Sequence, residues 1–314
     1  MKIAFMFPGQ GSQFEQMGKD IYIKYEETRK IYEKASEILG IDVTKLCFES
    51  NLEELSRTEN TQIAIAVNSL AILEVLKNNE IQAELSVGLS LGEYVALMNS
   101  GVLSLEDGLK LLQKRGYYMQ HNIPQEEYSM AAVIGLESSK IEEICEGVRK
   151  NEKFVVPANY NSSTQTVISG NKDGVEEASE LLKQNGAKRV VILNTSGPFH
   201  TSKLNEAKEL YAKELEKAEF KTGTVKVIKN LDGSFYSEED NVKEILANHI
   251  VSPVRFDKAI QVMDKENIDT CIEVGPGKTM IGFVKKELKE KEIEYLSTGT
   301  LEELEKTIKI LKNS

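Results

Sequence analysis

Three cysteines, three histidines and six prolines are all that 314 residues contain. Cys47, Cys145 and Cys271 are odd in number and widely spaced, with no Cys-x-x-Cys. That excludes a disulfide framework and a zinc ribbon, leaves three small apolar side chains for the core, and fits a reducing cytoplasm. His121, His200 and His249 show no paired spacing and no His-Glu-x-x-His, so no metal site is expected. With so little proline and only 21 glycines, a disordered or collagen-like chain is excluded. Long apolar runs are lacking as well. The stretch 3–7 is too short for the hydrophobic region of a signal peptide, and the apolar face within 61–76 is broken by Asn68, Ser69 and Glu74. No membrane span is expected. Nor is there an excess of cations: 39 Lys and Arg stand against 50 Asp and Glu, a net charge of −11. An acidic surface repels phosphate backbones, which excludes nucleic acid and anionic membrane as first partners.

What is present is ordinary globular composition, 40% hydrophobic and 28% charged. The length suits two domains, or one with an insertion. The pattern predicts a strand over 3–7, a loop over 8–13, helical periodicity over 14–39, and an amphipathic helix over 61–77. A strand over 85–89 follows, with helices over 92–99 and 105–120. The middle then reads strand 129–136, helix 138–150, strands 153–160 and 164–169 around a turn at 161–163, helix 173–184 and strand 188–193. That order, βαββαβ, is ferredoxin-like and closes on itself. A small, nearly neutral domain is therefore placed at 128–195, inserted between core segments 1–127 and 196–314. Alternation resumes with a strand over 225–230, helices over 240–249 and 255–266, a strand over 270–274 and a helix over 301–312.

The sharpest local signal is Gly88-Leu-Ser-Leu-Gly92, a G-x-S-x-G between a strand and a helix. Glycines on both sides leave room for a sharp turn that projects the Ser90 hydroxyl. The next N–H, of Leu91, lies at a helix N-terminus and can donate to a developing oxyanion. A tight strand-to-helix turn with a small residue is the plainer alternative.

A serine nucleophile needs a base. His200, in Ser196-Gly-Pro-Phe-His200, follows a turn that could fix an imidazole. His121 could instead favour a helix C-terminus, and His249 lies near another helix end. Arg115 is one of only six arginines and offers a fixed fork for a carboxylate; a surface salt bridge is its simpler reading. Two glycine-rich stretches miss their phosphate motifs. Phe14 occupies the third glycine position of G-x-G-x-x-G, and Ile272 the leading glycine of a P-loop, so nucleotide hydrolysis is rejected. They remain tight turns with exposed N–H groups, and the first could present the N–H of Gln10 to an oxyanion.

Phe7-Pro-Gly-Gln-Gly-Ser-Gln13, Gly88-Leu-Ser-Leu-Gly-Glu-Tyr94, Arg115-Gly116, Gly197-Pro-Phe-His200 and Glu273-Val-Gly-Pro-Gly277 occur in the order of one family. From residue 3 to about 285 the chain resembles the malonyl-CoA:acyl carrier protein transacylases of type II fatty acid synthesis, and is similar to the acyltransferase domains of polyketide synthases. The resemblance implies an α/β fold, an α/β-hydrolase-like core with a largely parallel sheet plus the inserted ferredoxin-like domain. It implies Ser90 as the acylated nucleophile, His200 as its base and later acid, Arg115 as the holder of the malonyl carboxylate, and the N–H groups of Gln10 and Leu91 as the oxyanion hole. Phe199 accompanies a preference for malonyl over methylmalonyl. A backbone carbonyl, in the stretch Asn248-His-Ile250, orients the histidine. Malonyl-CoA and acyl carrier protein are the implied partners, no cofactor is needed, and a cytoplasmic monomer is expected.

Two departures stand out: Leu89 where many members have His, and His249 where Gln is usual. Rival readings are a thioesterase or esterase on the same Ser–His pair, a discrete polyketide-type acyltransferase, and a scaffold that kept the fold. Lys188-Arg189 is a candidate docking patch for an acidic carrier; a solvated strand end reads equally well.

Overall fold

The computed structural model describes residues 1–195 and 197–313. Ser196, which opens both the predicted C-terminal core segment and the stretch leading to His200, lies outside the described residues, as does Ser314. Among the described residues, ten strands form two sheets: β1 (Ile3–Phe7), β2 (Leu85–Gly88), β3 (Tyr128–Ile134), β4 (Val155–Ser162), β5 (Gln165–Asn171), β6 (Arg189–Ile192), β7 (Lys226–Ile228), β8 (Val254–Arg255), β9 (Thr270–Glu273) and β10 (Glu294–Ser297). The first sheet has the order β10-β9-β1-β2-β7 and is parallel throughout. The fold is α/β.

β1 sits at the centre of that sheet and is buried on both faces, which is why it reads as a continuous apolar run. Ile3, Phe5 and Phe7 enter one core cluster, Ala4 and Met6 the other. Pairing is in register, Phe7 opposite Gly88, so the loops after β1 and β2 emerge side by side at the C-terminal edge. Open parallel sheets bind ligands at that edge.

The second sheet has the order β6-β3-β5-β4-β8. Its first four strands are antiparallel neighbours, and the chain order βαββαβ folds into the ferredoxin-like arrangement. One face, with Ala131, Val133, Val155 and Ile168, packs on helices Ser138–Arg149 and Lys172–Gln184 as a separate cluster. The other face turns Met130, Ala132, Ala158 and Val167 towards the main core. β8 adds a fifth strand, parallel to β4, with Asn159 opposite Val254. Two residues are too few to be read as a strand without their partner.

Several expectations need correction. The periodic stretch 14–39 is two helices, Lys19–Lys24 and Glu26–Leu39, separated by extended Tyr25. The helix predicted over 61–77 is Thr58–Asn78, and it is not amphipathic. Every residue from Thr61 to Leu76 except Glu74 is buried, because other elements cover it on all sides. The turn expected at 161–163 falls later, since β4 runs on through Ser162 with two register shifts. Helix Thr279–Glu287 and edge strand β10 were not legible, the helix holding an interior glycine and the strand half-exposed. No helix among the described residues is long and apolar enough to cross a membrane.

Candidate active site

β2 ends at Gly88 and helix Gly92–Ser100 begins four residues on. Between them Ser90 has φ 56°, the left-handed region that non-glycine residues avoid. The turn closes only because its flanks carry no side chain. A Cβ at Gly88 would meet the Gly92 carbonyl carbon at 1.9 Å, and one at Gly92 would meet the Phe7 carbonyl oxygen at 2.1 Å. Asn230, just beyond β7, holds the strained turn from both ends. Its Oδ1 accepts the Ser90 N–H at 2.7 Å and its Nδ2 donates to the Gly88 carbonyl at 2.7 Å. Nothing in the sequence around Asn230 marks this role; only the pairing of β7 with β2 brings it there.

His200 is also left-handed, with φ 59°. Its Nε2 lies 2.9 Å from Ser90 Oγ. Its Nδ1 lies 3.0 Å from the His249 carbonyl and 3.2 Å from that of Ser252. Carbonyls only accept, so Nδ1 carries the hydrogen and the Nε2 lone pair faces the serine hydroxyl. Burial first, then the neighbouring His249 and Arg115, hold the His200 pKa well below the usual imidazole value. A neutral imidazole beside a hydroxyl can act as a base.

Arg115, on helix Leu105–His121, is only 1% exposed, which overturns the reading as a surface salt bridge. Its Nη2 donates to Ser90 Oγ at 3.0 Å and its Nη1 to Gln62 Oε1 at 2.8 Å. Its Nε has no hydrogen-bond partner, and no carboxylate lies within ion-pair distance, among the described residues. Gln62 was missed from sequence; a polar residue inside a wholly buried stretch of helix was its one signal.

Ser90, His200, Arg115, Gln10, Leu91 and Phe199 line one cleft of about 480 Å³ between the two sheets. The backbone N–H groups of Gln10 and Leu91 have no acceptor among the described residues. Leu89, one of the two departures, lines the same cleft and is half-buried. Met130, Val167 and Phe199 supply apolar wall, and Asn161 and Gln165 polar wall. The two glycine-rich stretches meet here by stacking: a Cβ at Gly275 would strike Pro8 at 2.6 Å. Gly9 and Gly275 serve close packing of these turns, while Gly11 and Gly277 supply positive φ. His249 is outside the cleft, fully buried behind His200 with ring centroids 5.0 Å apart. His121 is remote, beside the Glu59 carboxylate at 3.0 Å. Lys188 and Arg189 are exposed at the start of β6.

Comparison with known proteins gives one consistent result. Residues 4–306 match the acyl transferase domain family. The malonyl CoA-acyl carrier protein transacylase of Bacillus subtilis is 39% identical over 311 residues, covering 99% of this chain and 98% of that protein. The crystal structure of the Clostridium perfringens malonyl CoA-acyl carrier protein transacylase superposes with a TM-score of 0.94 at 40% identity, over 100% of this chain and 98% of that one. A malonyl-transacylase in complex with its type II polyketide acyl-carrier protein superposes with a TM-score of 0.94 at 30% identity, over 99% of this chain and 100% of that one.

Proposed function

This chain belongs to the acyl transferase domain family, and on that premise we propose that it carries a malonyl group from malonyl-CoA to the phosphopantetheine thiol of acyl carrier protein through an ester on Ser90. The observation that carries the choice of acyl group is Arg115. A buried guanidinium without an anionic partner among the described residues, 3.0 Å from the Ser90 hydroxyl, is a costly arrangement that an incoming carboxylate would complete. Malonyl brings that carboxylate and acetyl does not.

In the first half-reaction the Ser90 hydroxyl gives its proton to His200 Nε2 as Oγ attacks the thioester carbonyl. The Nδ1–H, held by the carbonyls of His249 and Ser252, keeps the imidazole in the required tautomer. Negative charge on the carbonyl oxygen falls to the N–H groups of Gln10 and Leu91. His200 then returns the proton to the departing CoA sulfur. In the second half the carrier thiol gives a proton to His200, its sulfur attacks the ester, and Ser90 regains its hydrogen. Two thiol exchanges through one serine require ping-pong kinetics and no cofactor. Phe199 in the wall fits discrimination against a branched methylmalonyl group. We further assign the enzyme to fatty acid synthesis, as a cytoplasmic monomer, with 128–195 acting as a small domain that closes one side of the cleft.

Intact mass after mixing with malonyl-CoA tests this. Addition of one malonyl group, absent from Ser90→Ala and discharged by holo carrier protein, is the expected result. Release of free malonate at the same rate without the carrier would make the enzyme a thioesterase instead.

A further inference from the structure

Glu93 follows the elbow and is fully buried, an acid in the first turn of helix Gly92–Ser100. Its Oε1 accepts the backbone N–H of Asn230 at 3.1 Å and the Tyr236 hydroxyl at 2.8 Å. Asn230 is the residue whose side chain holds the Ser90 turn from both ends. The other oxygen, Oε2, lies 3.0 Å from His249 Nδ1, and both side chains are wholly inaccessible to solvent. That contact is at ion-pair distance without hydrogen-bond alignment, and His249 Nε2 has no partner among the described residues. The His249 carbonyl accepts the His200 Nδ1–H, and its ring lies 5.0 Å from the His200 ring. One carboxylate thus reaches the nucleophile through one neighbour and the base through another.

We propose that Glu93 is a positioning residue for both halves of the site, holding Ser90 through Asn230 and His200 through His249. This rests on Ser90 and His200 being the reacting pair. A buried acid is costly unless its oxygens are matched, so the network is retained for what it fixes. It fixes two left-handed residues, Ser90 and His200, that would relax if released. His249 also bears on the base electrostatically, since its charge opposes protonation of His200. Among the described residues, the other titratable groups in this buried region are Arg115, bonded to Ser90 and acting on His200, Tyr236 on Glu93, and Tyr94 bonded to Tyr211. Lys229 pairs with Asp240 and Arg255 with Asp257 at its edge.

The test uses a fluorophosphonate, which phosphonylates an activated serine with loss of fluoride and needs no malonyl group. Its rate on Ser90 is followed against pH in the full chain, in Glu93→Gln, in His249→Gln and in the double variant. Each single variant should slow the plateau rate at least tenfold, and the double variant should be no slower than the worse single one. His249→Gln should move the acid limb to higher pH, because it removes a neighbour that disfavours protonation of His200, and Glu93→Gln in the same chain should move it back. Single variants within twofold of the parent, or effects that multiply, overturn the proposal. Where Glu93→Gln does not fold, Tyr236→Phe removes only the hydroxyl from Oε1; a rate within twofold of the parent overturns the proposal and a fivefold loss supports it. No phosphonylation of Ser90 in the parent chain would overturn the Ser–His reading itself. Phosphonylation without malonyl transfer would overturn only the substrate.

Discussion

Arg115 donates to the nucleophile itself: its Nη2 lies 3.0 Å from Ser90 Oγ, which also lies 2.9 Å from His200 Nε2. The hydroxyl thus accepts from the guanidinium while it donates to the imidazole. A substrate carboxylate that takes over the guanidinium frees the serine oxygen for attack, so binding and activation use the same side chain.

Arg115→Ala should therefore lower malonyl transfer far more than acetyl transfer. Charge-assisted bonds are worth about 1.5–3 kcal/mol each, so loss of one or two predicts roughly a 100-fold fall in kcat/KM for malonyl-CoA. Measuring kcat/KM with both donors checks it, and equal losses would remove the clamp.

The elbow glycines bear on stability. A methyl at Gly92 would sit 2.1 Å from the Phe7 carbonyl oxygen, which is backbone and cannot swing aside. Gly92→Ala should cost about 3 kcal/mol by overpacking, seen as a lower urea midpoint. Gly147, inside helix Ser138–Arg149 with open space around its Cβ position, is the contrasting control, and Gly147→Ala should stabilise the protein by about 0.5–1 kcal/mol.

The pH profile follows from His200. The base must be neutral, and its folded pKa is held well below 6.5 by burial and then by His249 and Arg115. Transfer should stay level from about pH 8 to about 6.5 and fall only below that. The unfolded chain takes up this proton near pH 6.5 while the folded chain does not. Stability from this group is full above that value and is lost as pH falls towards the folded pKa. Steady-state rates and urea midpoints at matched pH separate the two effects.

Glu273 has the opposite sign. Burial pushes its carboxyl from 4.5 up to about 7, against the N–H groups of Ile281, Met280 and Thr279. Its folded pKa is raised, so its contribution is full below about pH 4.5 and lost as pH rises through about 7. A tenfold change in proton affinity is worth about 1.4 kcal/mol, so Glu273→Gln should stabilise the protein at about pH 8 by up to about 3 kcal/mol. At about pH 4, where the carboxyl is protonated in both states, it should leave stability nearly unchanged. Denaturation at the two pH values decides it.

What the sequence determined by itself is what local chemistry dictates. A strand of five apolar residues, a G-x-S-x-G turn before a helix and a βαββαβ order each follow from periodicity and from where glycine is tolerated. Those features placed Ser90 and limited its base to three histidines. The tertiary structure decided everything that depends on residues far apart in the chain. Arg115 is 25 positions from Ser90, His200 110 and Asn230 140, and each touches it only because of how helices and strands stack. Gln62 and Glu93 read as ordinary polar residues on helices; the apolar run around Gln62 is the one hint, and the burial of both is decided by the elements that cover them. Burial is a property of the surrounding elements, not of the segment. For that reason a helix could be read as amphipathic when it is covered all round, and an arginine as a surface cation when it is enclosed, while the buried carboxylate that faces His249 could not be read at all.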